Sequence, residues 1–240
     1  MDSQFDIVDF HTHVLPGVDH GCDSLDTALK QLKLAKSACV SRVLITPHFY
    51  PHIDDVIDFT ERRDKEYSAL CSATDGFDEY PDIRLGCEVL LCEGISGMQG
   101  IDKLCIAGTR TILLELPFSD FSKRYVDDVE NLISLGYDVV MAHVERYSPS
   151  KIEEFISVGA KLQINADALC GLFIPKTLKL WLAGGYVVAL GSDIHMLDKR
   201  AYKSFARARK LICKKYKGFS TESDRIWQDS EKQLKTELCV

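Results

Sequence analysis

No run of about 18 consecutive apolar residues occurs anywhere in these 240 residues, which excludes a membrane-spanning helix from expectation. The opening Met1-Asp2-Ser3-Gln4 carries no basic stretch followed by an apolar one, so no secretory leader or membrane insertion is expected and a reducing cytoplasm is the expected location. Paired thiols are missing too. The nine cysteines (22, 39, 71, 87, 92, 105, 170, 213 and 239) are odd in number, contain no C-x-x-C pair and mostly sit in apolar segments. They read as buried thiols, not as a disulfide framework or a sulfur-rich zinc site. Cys105 and Arg110 stand one residue too close together for the phosphate loop of a cysteine phosphatase. An excess of positive charge is also absent: Lys and Arg number 29 against 36 Asp and Glu, a net charge of -7 that argues against gripping nucleic acid phosphates. There is no linker, internal repeat or low-complexity segment, and 46% hydrophobic residues suffice for one sizeable core. A single domain over 1–240 is expected, with C-terminal helices from about residue 199.

What is present is regular alternation. Seven short, β-branched apolar segments run Phe5 to Phe10, Arg42 to Thr46, Ile83 to Cys87, Thr111 to Leu116, Asp138 to Ala142, Lys161 to Asn165 and Tyr186 to Gly191. Continuously apolar runs of this kind predict parallel strands covered on both faces. Helical patterns lie between them: Leu25 to Ala38 behind Ser24 as N-cap, Val56 to Cys71, Tyr125 to Leu135, Lys151 to Val158, Pro175 to Ala183 and Ala201 to Tyr216. Such alternation predicts an α/β barrel or a doubly wound sheet. From Lys199 to Lys217 there are nine Lys or Arg and no acid, with Tyr202, Phe205, Ala208 and Ile212 on one apolar face. That helix predicts either a solvated basic face or a docking surface for an acidic or phosphorylated partner. Trp227, Leu234 and Leu238 predict a further short helix.

Both architectures place functional groups at the carboxyl ends of parallel strands. Polar residues recur there: His11 and His13 after the first segment, His48 after the second, Glu88 after the third, Glu115 at the end of the fourth, His143 after the fifth, and Asp193 and His195 after the seventh. Imidazole and carboxylate are the side chains that hold divalent transition metals, and a carboxylate such as Glu88 can bridge two of them. His11 and His13 share one face of an extended segment, and Asp193 with His195 repeats that spacing. A ring of ligands from six strand ends closes more easily in a seven-stranded barrel than along an open sheet. Phe49, Tyr50, Phe118 and Phe121, in loops after the second and fourth segments, are candidates either for the wall of an aromatic pocket or for packing against neighbouring loops. His52 has no counterpart among the ligand positions.

The segments FHTHVLPGVDHG, ITPHFYP, LGCEV, LLELPF, MAHVERY and LGSDIHM resemble the polymerase and histidinol phosphatase (PHP) superfamily. They are most similar to its bacterial capsule and exopolysaccharide branch, metal-dependent protein tyrosine phosphatases that act on a partner tyrosine autokinase. The resemblance implies a distorted (β/α)7 barrel with three divalent metal ions, commonly manganese, at the C-terminal ends of its strands. Carried over position by position, it implies a first metal on His11, His13, Glu88 and Asp193, a second on Glu88, Glu115 and His143, and a third on His48, His195 and residue 20. The branch usually has Asp-Asp-Gly where this chain has Asp19-His20-Gly21. His20 or Asp19 then completes the third site, and an all-imidazole set is softer, favouring zinc or iron.

The chemistry so implied is hydrolysis of a phosphotyrosine protein by metal-activated hydroxide attack. Arg146 is placed by sequence to stabilise charge on the phosphate oxygens, or to pair with Glu145 or another acid. Asp193 and His195 are the general-acid candidates. Two other functions stay open: a phosphatase for a small phosphomonoester such as histidinol phosphate, and a non-catalytic phosphotyrosine-binding protein. Nothing in the sequence indicates an oligomeric state.

Overall fold

Parallel β-structure carries the ligand positions, as the apolar segments predict. The computed structural model describes residues 8–118, 121–216 and 219–238. Residues 5–7 of the first expected strand, Lys217 and Cys239 lie outside the described residues, as do the side chains of Leu234 and Leu238. The strands are β1 (Arg42–Ile45), β2 (His48–Phe49), β3 (Asp82–Leu85), β4 (Glu88–Leu90), β5 (Thr111–Glu115), β6 (Asp138–Met141), β7 (Lys161–Asn165) and β8 (Val187–Gly191). The helices are α1 (Leu25–Ser37), α2 (Val56–Thr74), α3 (Arg124–Ser134), α4 (Pro149–Ser157), α5 (Lys176–Ala183), α6 (Lys199–Lys215) and α7 (Ser220–Leu238). β1 pairs with β3, and β2-β4-β5-β6-β7-β8 form a ladder, every pair parallel.

Three departures from the expected strands share one cause: the ligand-bearing peptides interrupt regular pairing. The second segment is β1, and beyond Thr46-Pro47, where proline has no N–H to give the ladder, the chain adds an unexpected two-residue strand, β2. The third segment is β3, and beyond Gly86-Cys87 the chain adds a further short strand, β4. The first is not a regular strand at all. Asp9 makes isolated parallel bridges to Val43 on one side and Leu190 on the other, and Thr12 bridges to Ile194. Its backbone nevertheless bonds both edges of the sheet, Asp9 N to Arg42 O at 2.9 Å and Phe10 N to Leu190 O at 2.9 Å. The result is a distorted barrel whose seam is drawn together by bridges, not closed by a continuous ladder.

Residue alternation divides the core in two. Leu44, Leu113, Val140 and Ala189 point to the interior with Phe10, whereas Val43, Ile45, Leu114 and Met141 face the surrounding helices. The interior cluster also contains Ile226 and Trp227 of α7, so the last helix, at 19 residues, is longer than expected and plugs the end of the barrel opposite the ligands. The guanidinium carbons of Arg84 and Arg42 lie 4.9 and 5.9 Å from the Trp227 ring. Arg225 ties α7 to the strand starts through Asp138 at 3.0 Å. Because Trp227 is only 4% exposed, Trp227→Ala is expected to lower the unfolding free energy by about 3 kcal/mol or more in denaturant titration. An unchanged midpoint would mean that α7 does not seal the barrel.

On α6, Tyr202, Phe205, Ala208 and Ile212 are buried and Lys199, Arg200, Lys203, Arg207 and Lys210 are exposed, as the periodicity predicts. The cysteines correct an expectation: of the eight described, all free, three are buried, four partly buried, and Cys39 exposed. Burial pushes the Cys105 thiol up to about 12, the opposite of what a nucleophile needs. No described helix is long and apolar enough to cross a membrane.

Candidate metal centre

The residues that follow the strands converge on Glu88, which is 1% exposed at the start of β4. Its Oε2 lies 3.0 Å from His11 Nε2, 3.2 Å from His13 Nε2 and 2.9 Å from His48 Nδ1, and its Oε1 lies 2.7 Å from His143 Nε2. Asp193 Oδ1 approaches His11 and His13 at 3.7 and 3.4 Å. Glu115 Oε1 is 3.4 Å from His143, and its Oε2 is 3.8 Å from His48. On the outer side His48 Nε2 faces His195 Nε2 at 3.4 Å.

Among the described residues, three groups have ligand atoms close enough to hold an ion: His11, His13 and Glu88; His48, Glu88 and Glu115; and His13, His48 and His195. His20 lies outside these groups. It is exposed and reaches the cluster by its ring, stacked on His48 at 4.7 Å and tilted against His195 at 4.9 Å. Asp19 is occupied otherwise: Oδ2 accepts from His13 Nδ1 at 2.7 Å and from the His48 backbone at 3.0 Å, and Oδ1 accepts from Gly21 N at 2.8 Å. These bonds give Asp19 the task of orienting a ring.

Ring orientation is the theme of the surrounding residues, and this is what sequence reasoning missed. β7 was expected to contribute nothing, yet Gln163 and Asn165 face the site from it. Gln163 Oε1 accepts from the His143 backbone at 2.7 Å and from His11 Nδ1 at 3.1 Å. Its Nε2 donates to Asn165 Oδ1 at 3.0 Å, and Asn165 Nδ2 donates to Asp193 Oδ2 at 2.9 Å. His195 Nδ1 lies 3.1 Å from its own acceptor, the Asp193 carbonyl. In His11, His13 and His195 an acceptor opposite Nδ1 holds the proton there and leaves the Nε2 lone pair free for a metal. The signal was legible in principle: the two amides of the KLQIN strand stand at alternate positions and so share a face.

The backbone makes room for this convergence. A Cβ on Gly191 would sit 2.6 Å from both His11 Cβ and Gln163 Nε2, and one on Gly21 would sit 2.3 Å from His13 Cβ. His143 and Asp193 adopt left-handed φ of 31° and 52°, a conformation that costs a non-glycine residue free energy and concentrates at functional sites.

Charge balance supports cation binding. Burial raises the Glu88 carboxyl, but the His11 ring and the hydrogen bonds of its histidines outweigh it and hold the group well below the usual carboxylate range. Burial lowers His143, but Glu115 and Glu88 lift it to about 9. For His195, burial and then the His13 charge pull the pKa down to about 4. Protons thus stand in for part of the positive charge that these carboxylates require. Glu88 Oε2, His48 Nδ1 and His143 Nδ1 are buried without an aligned hydrogen-bond partner, although the first two are 2.9 Å apart. Buried polar atoms left in that state carry a penalty that divalent ions would remove, so the residues present fit a polynuclear metal group.

A cleft of about 500 Å³ opens beside the cluster, lined by Arg146, Asn165, Asp193, His195, Met196 and Arg200 among others. Arg146, in a 3-10 turn after His143, hydrogen-bonds Asp193 Oδ2, so its acidic partner is Asp193 and not Glu145. Of the four candidate wall residues, Phe49 is 1% exposed and packs edge-on against Phe59 in the core, and Phe121 packs against Phe155 and Tyr125. Tyr50 does border the cluster, stacked on His48 at 5.1 Å, and Phe118 lies 5.8 Å from Tyr147, which is 5.9 Å from His143. His52 is exposed, 6.0 Å from Tyr50.

The chain is similar to known proteins. Tyrosine-protein phosphatase YwqE of Bacillus subtilis is 27% identical over 216 residues, 82% of this chain and 80% of its own length. Tyrosine-protein phosphatase CpsB of Streptococcus agalactiae is 24% identical over 228 residues, 88% of this chain and 91% of its own. A crystal structure from the pair YwqE of B. subtilis and CpsB of Streptococcus pneumoniae, described as unique metal-dependent tyrosine phosphatases, shares the fold with a TM-score of 0.70 at 21% identity, covering 95% of this chain and 94% of that one. The family described as capsular polysaccharide synthesis, CpsB/CapC, matches residues 7–234. With almost its whole length matched, the chain belongs to the CpsB/CapC family.

Proposed function

We propose that the chain is a metal-dependent protein tyrosine phosphatase of the cytoplasm, acting on phosphotyrosine in the tail of a tyrosine autokinase that controls capsule or exopolysaccharide synthesis. The observation that carries this reading is the convergence of four imidazoles on the two oxygens of one buried carboxylate, Glu88, beside an arginine-lined cleft. Three divalent ions are proposed: the first on His11, His13, Glu88 and Asp193, the second on Glu88, Glu115 and His143, the third on His48, His195 and His20. Bound there, divalent ions supply Lewis acidity towards a phosphoryl oxygen and acidify water for in-line attack.

The chain's own groups do the rest. Arg146 presents a guanidinium to the phosphate oxygens and neutralises charge as it builds up. Gln163, Asn165 and Asp19 keep the imidazoles and Asp193 in register, so little reorganisation accompanies the reaction. Asp193 and His195, the general-acid candidates, line the cleft. Burial raises the Asp193 carboxyl, but the His11 and His13 rings outweigh it and hold the group below the usual carboxylate range, and burial brings His195 down to about 4. Both are therefore deprotonated near neutrality, and neither is a ready proton donor to the departing oxygen. A phenolate, with a pKa of about 10, leaves with less such help than an alkoxide does, which suits an aryl phosphate.

Turnover of phosphotyrosyl peptides by metal-reconstituted protein is expected to exceed that of histidinol phosphate by about a hundredfold or more in kcat/KM. The reverse order would make the chain a small-molecule phosphatase; binding of peptide without turnover would make it a phosphotyrosine-binding protein. Resemblance names manganese as the metal, but an imidazole-only third site favours zinc or iron. Protein purified without added metal is expected to carry zinc or iron, and His20→Asp to shift the content towards manganese. Manganese alone in the unmodified chain would discard that preference.

A further inference from the structure

Of the twelve large apolar side chains exposed among the described residues, Leu25, Ile57, Phe77, Leu135, Leu180 and Tyr186 lie on helices or ahead of strands, and the other six, which include the four most exposed, follow strand ends. Leu172 is 98% exposed, Phe173 90%, Phe118 74%, Ile53 69%, Met196 57% and Leu197 45%. Every one of these six lies in a segment leaving the carboxyl end of a strand: Ile53 after β2, Phe118 after β5, Leu172 and Phe173 after β7, Met196 and Leu197 after β8. They therefore surround the face on which the metal-ligand candidates converge. Contacts tie several of their segments to the site itself. Met196 adjoins His195 and lines the cleft, Asp167 of the β7 loop lines it too, and Phe118 reaches His143 through Tyr147. Leu172 and Phe173, almost wholly exposed, contribute little to the core; adjacent apolar residues kept in water around a functional cleft mark a contact surface.

We propose that this apolar rim docks the residues flanking the phosphotyrosine, which makes Leu172 and Phe173 determinants of specificity for a polypeptide with apolar side chains near the modified tyrosine; the proposal rests on the phosphatase reading above. The occupant follows from continuity with the cleft. A phosphotyrosine held at the metal ligands fixes where its own main chain emerges. An extended chain advances about 3.3 Å per residue, so the three residues on either side cover about 10 Å outside the cleft, on the side where these loops leave the strands. A small phosphomonoester ends inside the cleft and leaves the rim uncovered. The exposed cations of α6 also begin at this edge, with Arg200 in the cleft wall, so an anionic membrane is the rival occupant.

The test compares Leu172→Ser, Phe173→Ser and the double variant with the unmodified chain, all metal-loaded. The substrates are a phosphotyrosyl peptide with apolar flanks, the same peptide with glycine flanks, and para-nitrophenyl phosphate. Both side chains are exposed, so the variants should fold. Each single change is expected to lower kcat/KM for the apolar peptide about tenfold, through KM, while the two other substrates stay within about twofold. Leu135→Ser, an equally simple change of an exposed residue before β6, is expected to alter nothing. Unchanged peptide turnover, or equal loss on all three substrates, would overturn the proposal. So would unchanged peptide turnover with lost binding to vesicles containing anionic lipid, which would assign the rim to a membrane. An unmodified chain inert towards every aryl phosphate would remove the phosphatase reading, and the docking proposal with it.

Discussion

Glu88→Gln is expected to reduce phosphatase activity by at least about a thousandfold and to strip metal from the protein. The substitution keeps the shape of the side chain and removes one negative charge from the point where His11, His13, His48 and His143 meet. An amide has one acceptor oxygen where the carboxylate has two, so it cannot bridge cations, and its NH2 group points donors into a space lined with imidazole nitrogens. Loss of a shared ligand removes both the Lewis acid and the electrostatic template for the reaction, which is why the effect should exceed that of a residue that only orients a ligand. The measurement is metal content by elemental analysis alongside turnover of an aryl phosphate. A variant that keeps a full complement of metal and wild-type turnover would dismantle the proposed centre.

Arg146→Ala is expected to lower kcat/KM by about a hundredfold or more while leaving metal content unchanged. The guanidinium lines the cleft and bonds Asp193 Oδ2, but that oxygen keeps a second donor, Asn165 Nδ2 at 2.9 Å, so Asp193 should stay in place. Arg146→Lys should restore little, because an ammonium group cannot make the paired contact to two phosphate oxygens that the planar fork makes. Loss of metal from Arg146→Ala would reassign the residue to positioning Asp193. Unchanged kcat/KM would reduce it to an ion pair.

The candidate ligands were legible because metal-binding side chains are rare at the ends of buried strands. His11, His13, Glu88, Glu115, His143 and Asp193 each follow or end an apolar run, and all of them meet within one cluster. The roles of Asp19 and His20 were not legible, because adjacent residues in a loop point in directions set by neighbours distant in sequence. The structure turns Asp19 onto His13 and leaves the His20 ring against His48 and His195. Between its two open readings, pocket wall or packing, Phe49 was decided by the tertiary structure: with His48 it forms a two-residue strand, so one side chain turns to the site and the next to the core.

By itself, the sequence determined the alternation of strand and helix, the amphipathic α6 and the kinds of side chain delivered to the strand ends, since these depend on hydrophobic period and local order along the chain. Only the tertiary structure decided that Asp9 draws the two sheet edges together, that Trp227 plugs the barrel, that Gln163 and Asn165 orient the ligands, and that Arg146 bonds Asp193. Each of these depends on partners between 20 and nearly 200 positions apart, whose meeting is set by packing and strand register and not by any local pattern.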